Sequence, residues 1–84
     1  MEICYITFRS VTYAQRGERV LQRAGIGCTL QRTPKWMEQQ GCGYCLRLRQ
    51  PEVSRAVELL RQKQVPLRRV YVSQGDGKMK EMGL

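Results

Sequence analysis

Residues 2–10 read Glu2-Ile3-Cys4-Tyr5-Ile6-Thr7-Phe8-Arg9-Ser10. The first seven are rich in β-branched and aromatic side chains, and Cys4, Ile6 and Phe8 recur at every second position. A period of two is that of a strand with one face in a core. Ser10, directly after it, is a residue type that caps helix N-termini. The stretch therefore predicts a strand that turns at once into a helix. Val11, Ala14, Val20, Leu21 and Ala24 supply that helix with apolar or small positions, and Gly25 ends it. Gly17 reads as a weak point within it, since glycine is a poor helix former.

Outward from this unit the chain repeats the pattern. Residues 27–32 alternate as a second strand, with Cys28 and Leu30 on one face and Thr29 and Gln31 on the other. Residues 33–41 hold Pro34, Trp36, Met37 and Gly41 and read as a connection. Residues 44–49 form a third strand with Tyr44, Leu46 and Leu48 toward the core and Cys45, Arg47 and Arg49 opposite. Pro51 suits the first position of a second helix, with a stripe of Val53, Ala56, Val57, Leu59 and Leu60 that ends near Gln64. Residues 68–72 complete the set as a fourth strand. The order βαββαβ, with right-handed crossovers, predicts an α+β ferredoxin-like two-layer sandwich: a four-stranded antiparallel sheet with two helices on one face. Residues 1–73 make one domain, and residues 74–84, which lack a packing pattern, read as a flexible C-terminal tail.

Size and charge exclude several classes. A chain of 84 residues buries only roughly 60% of its unfolded surface, which leaves little room for an enclosed substrate cavity. The absence of histidine removes imidazole as base, metal ligand or pH switch. No run reaches the ~20 apolar residues of a membrane span, and Met1-Glu2-Ile3-Cys4-Tyr5 does not resemble a secretory signal. The expectation is a cytoplasmic protein with no membrane partner. Fifteen basic against seven acidic residues, a formal charge of +8, favour anionic partners. The four cysteines, Cys4, Cys28, Cys42 and Cys45, form one close pair and two dispersed residues. That spacing fits neither a zinc ribbon nor a disulfide framework, so no metal or other cofactor is expected. Cys4 and Cys28, on alternating apolar rows, read as packing residues.

The remaining pair lies in Gly41-Cys42-Gly43-Tyr44-Cys45, a C-x-x-C set between glycines that runs directly into the third strand. A thioredoxin-type pair stands at a helix start instead. In the predicted sheet the third strand begins beside the end of the first, so Cys42 approaches Arg9, Ser10 and the first backbone amides of the helix at Val11 and Thr12. A helix start stabilises a nearby exposed anion by about 0.3–1 kcal/mol, which is too little by itself to ionise a thiol. Arg9 and the amides of Gly41 and Gly43 add to it. Cys42 is the candidate nucleophile and Cys45 a candidate second thiol; the competing reading makes Cys42 an incidental loop thiol and Cys45 a partly exposed strand residue.

Tyr5-Ile6-Thr7-Phe8 followed by Ser10, then Ala14, Glu18 and Leu21, Ala24-Gly25-Ile26, Thr33-Pro34, and Cys42-Gly43 leading into Leu46-Arg47-Leu48 carry a resemblance over most of residues 3–72. In this order and spacing the chain resembles the small bacterial selenium/sulfur carrier protein-like family. The resemblance implies a carrier rather than a stand-alone enzyme. Cys42 would hold a persulfide or its selenium analogue, received from a cysteine desulfurase or a selenocysteine lyase-type donor and passed to an acceptor protein. Two positions depart from the family pattern: Arg9 stands where proline is usual, and Cys45 where a small apolar residue is usual.

Two other classes compete. A basic ferredoxin-like RNA-binding module would use Arg47 and Arg49 on the open sheet face. The third strand lacks the glycine-aromatic run of such modules, and Tyr44 reads as core-facing. A non-catalytic interaction protein, monomer or homodimer, would use the same face without the thiols.

Overall fold

The computed structural model describes residues 3–34, 43–73 and 79–82. Gly41, Cys42, Trp36 and Met37 lie outside the described residues, as does the greater part of the 33–41 connection. The element order is β1 (Ile3–Thr7), α1 (Val11–Arg23), β2 (Cys28–Arg32), β3 (Tyr44–Arg49), a 3-10 turn (Gln50–Glu52), α2 (Val53–Gln62), β4 (Val70–Ser73) and β5 (Met79–Glu81). The βαββαβ connectivity is as expected, but the antiparallel sheet has five strands, in the order β2-β3-β1-β4-β5. The fifth strand is a correction to the four-stranded expectation. Residues 79–81 pair with β4, and Met82 N–H donates to the Val70 carbonyl at 2.7 Å. They belong to the sheet and not to a tail.

One face of the sheet meets both helices. Cys4, Ile6 and Phe8 from β1 and the turn after it, Leu46 and Leu48 from β3, and Val70 from β4 are buried against Ala14 and Leu21 of α1 and Val53, Ala56, Val57 and Leu60 of α2. The edge strand β2 contributes Cys28 and Leu30 only as partly buried neighbours. Pro51 is the second residue of the 3-10 turn that precedes α2 and does not begin α2 itself. Arg55 on α2 donates from Nη2 to the Ala24 carbonyl at 3.0 Å, which places a cation on the negative end of α1.

Gly17 is buried in α1 where the helix lies on the Phe8 ring. A Cβ there would stand 3.0 Å from Phe8 Cζ and 3.3 Å from Leu46 Cδ1, both fully buried side chains. The residue that reads locally as a helix weak point is thus what lets α1 approach the sheet. Gly17→Ala would gain about 1 kcal/mol of helix propensity and lose roughly 1–3 kcal/mol to overpacking. Packing outweighs propensity, and we expect a lower thermal midpoint for Gly17→Ala in calorimetry.

Both helices end in the same motif. After α1, Gly25 N–H donates to Gln22 O and Ile26 N–H to Leu21 O; after α2, Gln64 N–H donates to Arg61 O and Val65 N–H to Leu60 O. This is the Schellman arrangement, which needs a left-handed residue at its centre. Gly25 supplies it at φ 80°, whereas Gln64 holds φ 58° with a side chain. A left-handed non-glycine residue costs about 1–2 kcal/mol, and glycine's larger unfolded-state entropy offsets part of this. Gln64→Gly is therefore expected to raise the thermal midpoint, by a few degrees for a domain of this size.

Candidate functional site

The first and third strands bring together one end of the sheet. Their register closes at Thr7 opposite Cys45, while on the other side of β3 Arg32 stands opposite Tyr44. The Arg32 guanidinium lies 5.5 Å from the centroid of the Tyr44 ring, within the range of a cation–π contact. Tyr44 therefore sits half-buried at the sheet margin, on the helix side but outside the core cluster. One residue earlier, the Gly43 carbonyl accepts from Thr33 N–H at 2.8 Å and extends the β2 ladder. Gly43 has φ 79°, a backbone that an L side chain rarely adopts. Glycine thus accommodates the backbone turn that immediately precedes β3.

On the β1 side Phe8 is buried, Arg9 is exposed and Ser10 caps α1. Ser10 Oγ accepts from Tyr13 N–H at 3.2 Å, and the Ser10 carbonyl accepts from Ala14 N–H at 3.1 Å. The amides of Val11 and Thr12 precede that first intrahelical bond, at the positive end of the helix, and both residues are exposed. The structure thus gathers Arg9, Ser10, Val11, Thr12, Gly43 and Cys45 at one end of the sheet, whereas Gly41 and Cys42 lie outside the described residues.

The backbone of two further basic residues is held at this end, and the sequence reading gave them no role. Arg68 N–H donates to the Thr7 carbonyl at 2.8 Å, and Thr7 N–H donates to the Arg69 carbonyl at 2.9 Å. Arg69 N–H also donates to Thr7 Oγ1 at 3.1 Å. These bonds hold Arg68 and Arg69 ahead of β4, which begins only at Val70. Extending the antiparallel pairing of β4 with β1 by one step past Val70 is the sequence signal that would have placed Arg69 beside Thr7. The guanidinium of Arg69 is held above its ordinary range, first by the Tyr71 side chain and then by the charge of Glu81, whose Oε1 lies 3.5 Å from Arg69 Nη1.

None of the described thiols is in a disulfide, and their settings differ. Burial pushes Cys4 up to about 12. Cys28 is pushed up to about 11, first by burial and then by the charge of Glu18, whose carbonyl also lies 3.9 Å from its Sγ. Both stand opposite Leu48 from its two sides, two strand spacings apart. That separation, roughly 9.5 Å, is too long for a disulfide. Cys45 departs from the partly exposed thiol of the competing sequence reading. It lies on the face away from the helices, between Thr7 and Gln31, yet has no accessible surface. A thiol so placed enters exchange only after its surroundings open.

Native-state alkylation at mildly alkaline pH should therefore leave Cys4 and Cys45 unmodified and label Cys28 slowly, with all three reacting in denaturant. Peptide mapping checks this, and rapid native labelling of Cys45 would contradict its burial. The raised thiols also set a sign for pH dependence. Their stabilising effect is complete below the unfolded thiol range and declines from about pH 9 toward about 12 for Cys4, so alkaline titration is expected to lower the unfolding midpoint within that window.

Among the described residues no helix is long and apolar enough to cross a membrane. The family model described as "Putative Se/S carrier protein-like" matches residues 3–72. No curated protein and no solved structure gives a match.

Proposed function

The chain belongs to the Se/S carrier protein-like family, and on that premise we propose that it is a ferredoxin-like sulfur or selenium carrier that holds the chalcogen on Cys42. The observation that carries the reading is the Gly43 turn. A left-handed glycine directly follows Cys42 in sequence and opens β3 at the end of the sheet where Ser10 caps α1, beside the exposed Arg9. The settings of Cys4, Cys28 and Cys45 support it from the other side. Two are pushed far above neutral pH and the third is enclosed.

Loading is a thiol exchange. The Cys42 thiolate attacks the terminal sulfur of a donor persulfide, a new sulfur–sulfur bond forms, the donor's sulfur–sulfur bond breaks, and the donor cysteine leaves as a thiolate. The terminal proton travels with the transferred sulfur, and no external oxidant or reductant is consumed. A selenocysteine lyase-type donor would deliver selenium by the same displacement. The helix start and the exposed Arg9 favour the anionic sulfur before and after transfer. Delivery repeats the exchange, with a nucleophile of the acceptor protein attacking the outer atom. Release through Cys45, with its thiolate attacking the inner sulfur of the Cys42 persulfide to form a disulfide and expel hydrosulfide, requires Cys45 to be uncovered first.

Intact mass spectrometry after incubation with a cysteine desulfurase and cysteine, or a selenocysteine lyase and selenocysteine, tests the reading. Wild type and Cys45→Ser should gain a chalcogen adduct that a reductant removes, and Cys42→Ser should gain none. An adduct that persists in Cys42→Ser, or no adduct under conditions that load a control carrier, would overturn it.

A further inference from the structure

The sheet face away from the helices carries an ordered row of side chains. Register places Tyr5 of β1 directly opposite Arg47 of β3 on one side and Tyr71 of β4 on the other, with Thr29 beyond Arg47 and Glu81 beyond Tyr71. The alternation along β1 confirms the facing, because Cys4 and Ile6 on either side of Tyr5 are buried in the core. Two tyrosines opposite each other on neighbouring strands have their Cβ atoms about 4.5–5.5 Å apart, so their aromatic side chains stand side by side on this face. Both are half-buried, while Arg47 and Arg49 are exposed beside them, with Arg49 opposite Ile3.

We propose that this face binds single-stranded nucleic acid, with bases stacked on the Tyr5–Tyr71 platform and the phosphate backbone along Arg47 and Arg49. Aromatic side chains on a sheet offer a surface on which any base can stack, and flanking arginines supply phosphate contacts and stacking planes of their own. Charge selects this occupant over a second copy of the chain. Among the described residues the face carries Arg47, Arg49 and Arg69 against the single acid Glu81, which is already paired with Arg69. A second copy of the same face would bring these arginines toward their own kind, whereas a phosphate backbone neutralises them. The paired tyrosines select it over a merely acidic polypeptide, which would use the charges and leave the platform without a role. The aromatic support comes from the first and fourth strands, not from Tyr44 of the third, which stands on the opposite face with Arg32 over its ring.

Fluorescence anisotropy of short labelled single-stranded RNA and DNA, with the corresponding duplex as comparison, tests the inference on the full chain. Wild type should bind single strands more tightly than duplex and lose affinity with salt. Arg47→Gln combined with Arg49→Gln, two exposed positions, should weaken binding about tenfold and flatten the log–log salt slope by roughly 1.4, the contribution of two phosphate contacts on a single strand. Tyr5→Ala with Tyr71→Ala should weaken binding at least about tenfold while leaving the salt slope unchanged, and Tyr5→Phe with Tyr71→Phe, which keeps both rings, should retain affinity. A preference for RNA over DNA or the reverse identifies the strand and supports the assignment either way. Three results would overturn it: no binding of wild type to single strands at low salt, equal weakening by Arg16→Gln with Arg19→Gln on the helix face, or sedimentation showing a dimer that the tyrosine variants dissociate.

Discussion

The double pairing of β1 is the constraint on which the rest of the structure depends. Its residues bond to β3 on one side and β4 on the other, so Cys4, Tyr5 and Ile6 each have cross-strand partners in both. Because the strand is interior, its alternation must satisfy two environments at once, and Cys4 and Ile6 face the helices while Tyr5 and Thr7 face away. A slip of one residue would exchange these faces and place the Tyr5 and Thr7 hydroxyls in a core that holds no buried polar residue among the described residues. The strand's exit is fixed as strictly as its register. Phe8 turns into the core beneath Gly17, and Ser10 then caps the helix that rests on that ring. Strand end, helix start and the entrance of β3 therefore meet at one corner because a single strand determines all three.

The sheet separates two chemistries. On the helix side thiols are packing atoms, held toward about 12 and 11 by burial and, at Cys28, by the charge of Glu18 as well. On the other side the small side chain of Cys45 is enclosed at the corner, whereas one row further along the strand the face opens into tyrosine and arginine. The basic residues are distributed accordingly. Arg55 closes the end of α1, Arg32 covers the Tyr44 ring and Arg69 engages Glu81, so part of the net charge of +8 is committed to structure. Arg47 and Arg49 remain exposed on the open face.

The order of elements was legible because it rests on local signals: alternation in residues 3–8 and 44–49, the Ser10 cap and the Gly25 stop. What was hidden depended on tertiary neighbours. Gly17 reads as a helix defect until the Phe8 ring is seen beneath it. The three residues Met79–Glu81, two of them charged, carry no strand pattern, and their pairing comes from β4 offering an edge. Arg68 and Arg69 fell inside a predicted strand, whereas their bonds to Thr7 hold them just before it. Cys45 was placed on the correct face, but alternation gives the direction of a side chain and not its exposure. Of the candidate site, the Ser10 cap and the position of β3 beside β1 followed from topology, while Gly41 and Cys42 fall outside the described residues.

The tyrosine platform shows how a correct strand assignment can still conceal a surface. Once Cys4, Ile6 and Phe8 are assigned inward, Tyr5 must point outward, and the same reasoning applied to Val70 and Val72 sends Tyr71 outward too. Neither residue alone forms a surface. It is the register of β1 with β4, a non-local fact, that sets them side by side and brings Arg47 to the same row. That row lies two residues along β1 from Thr7 and Cys45, roughly 7 Å at the rise of a strand. A strand lying on the tyrosines would therefore run close to the end of the sheet at which β3 begins. At that separation, within a Debye length of about 8 Å at physiological salt, charge held at the corner and charge bound on the face would influence one another.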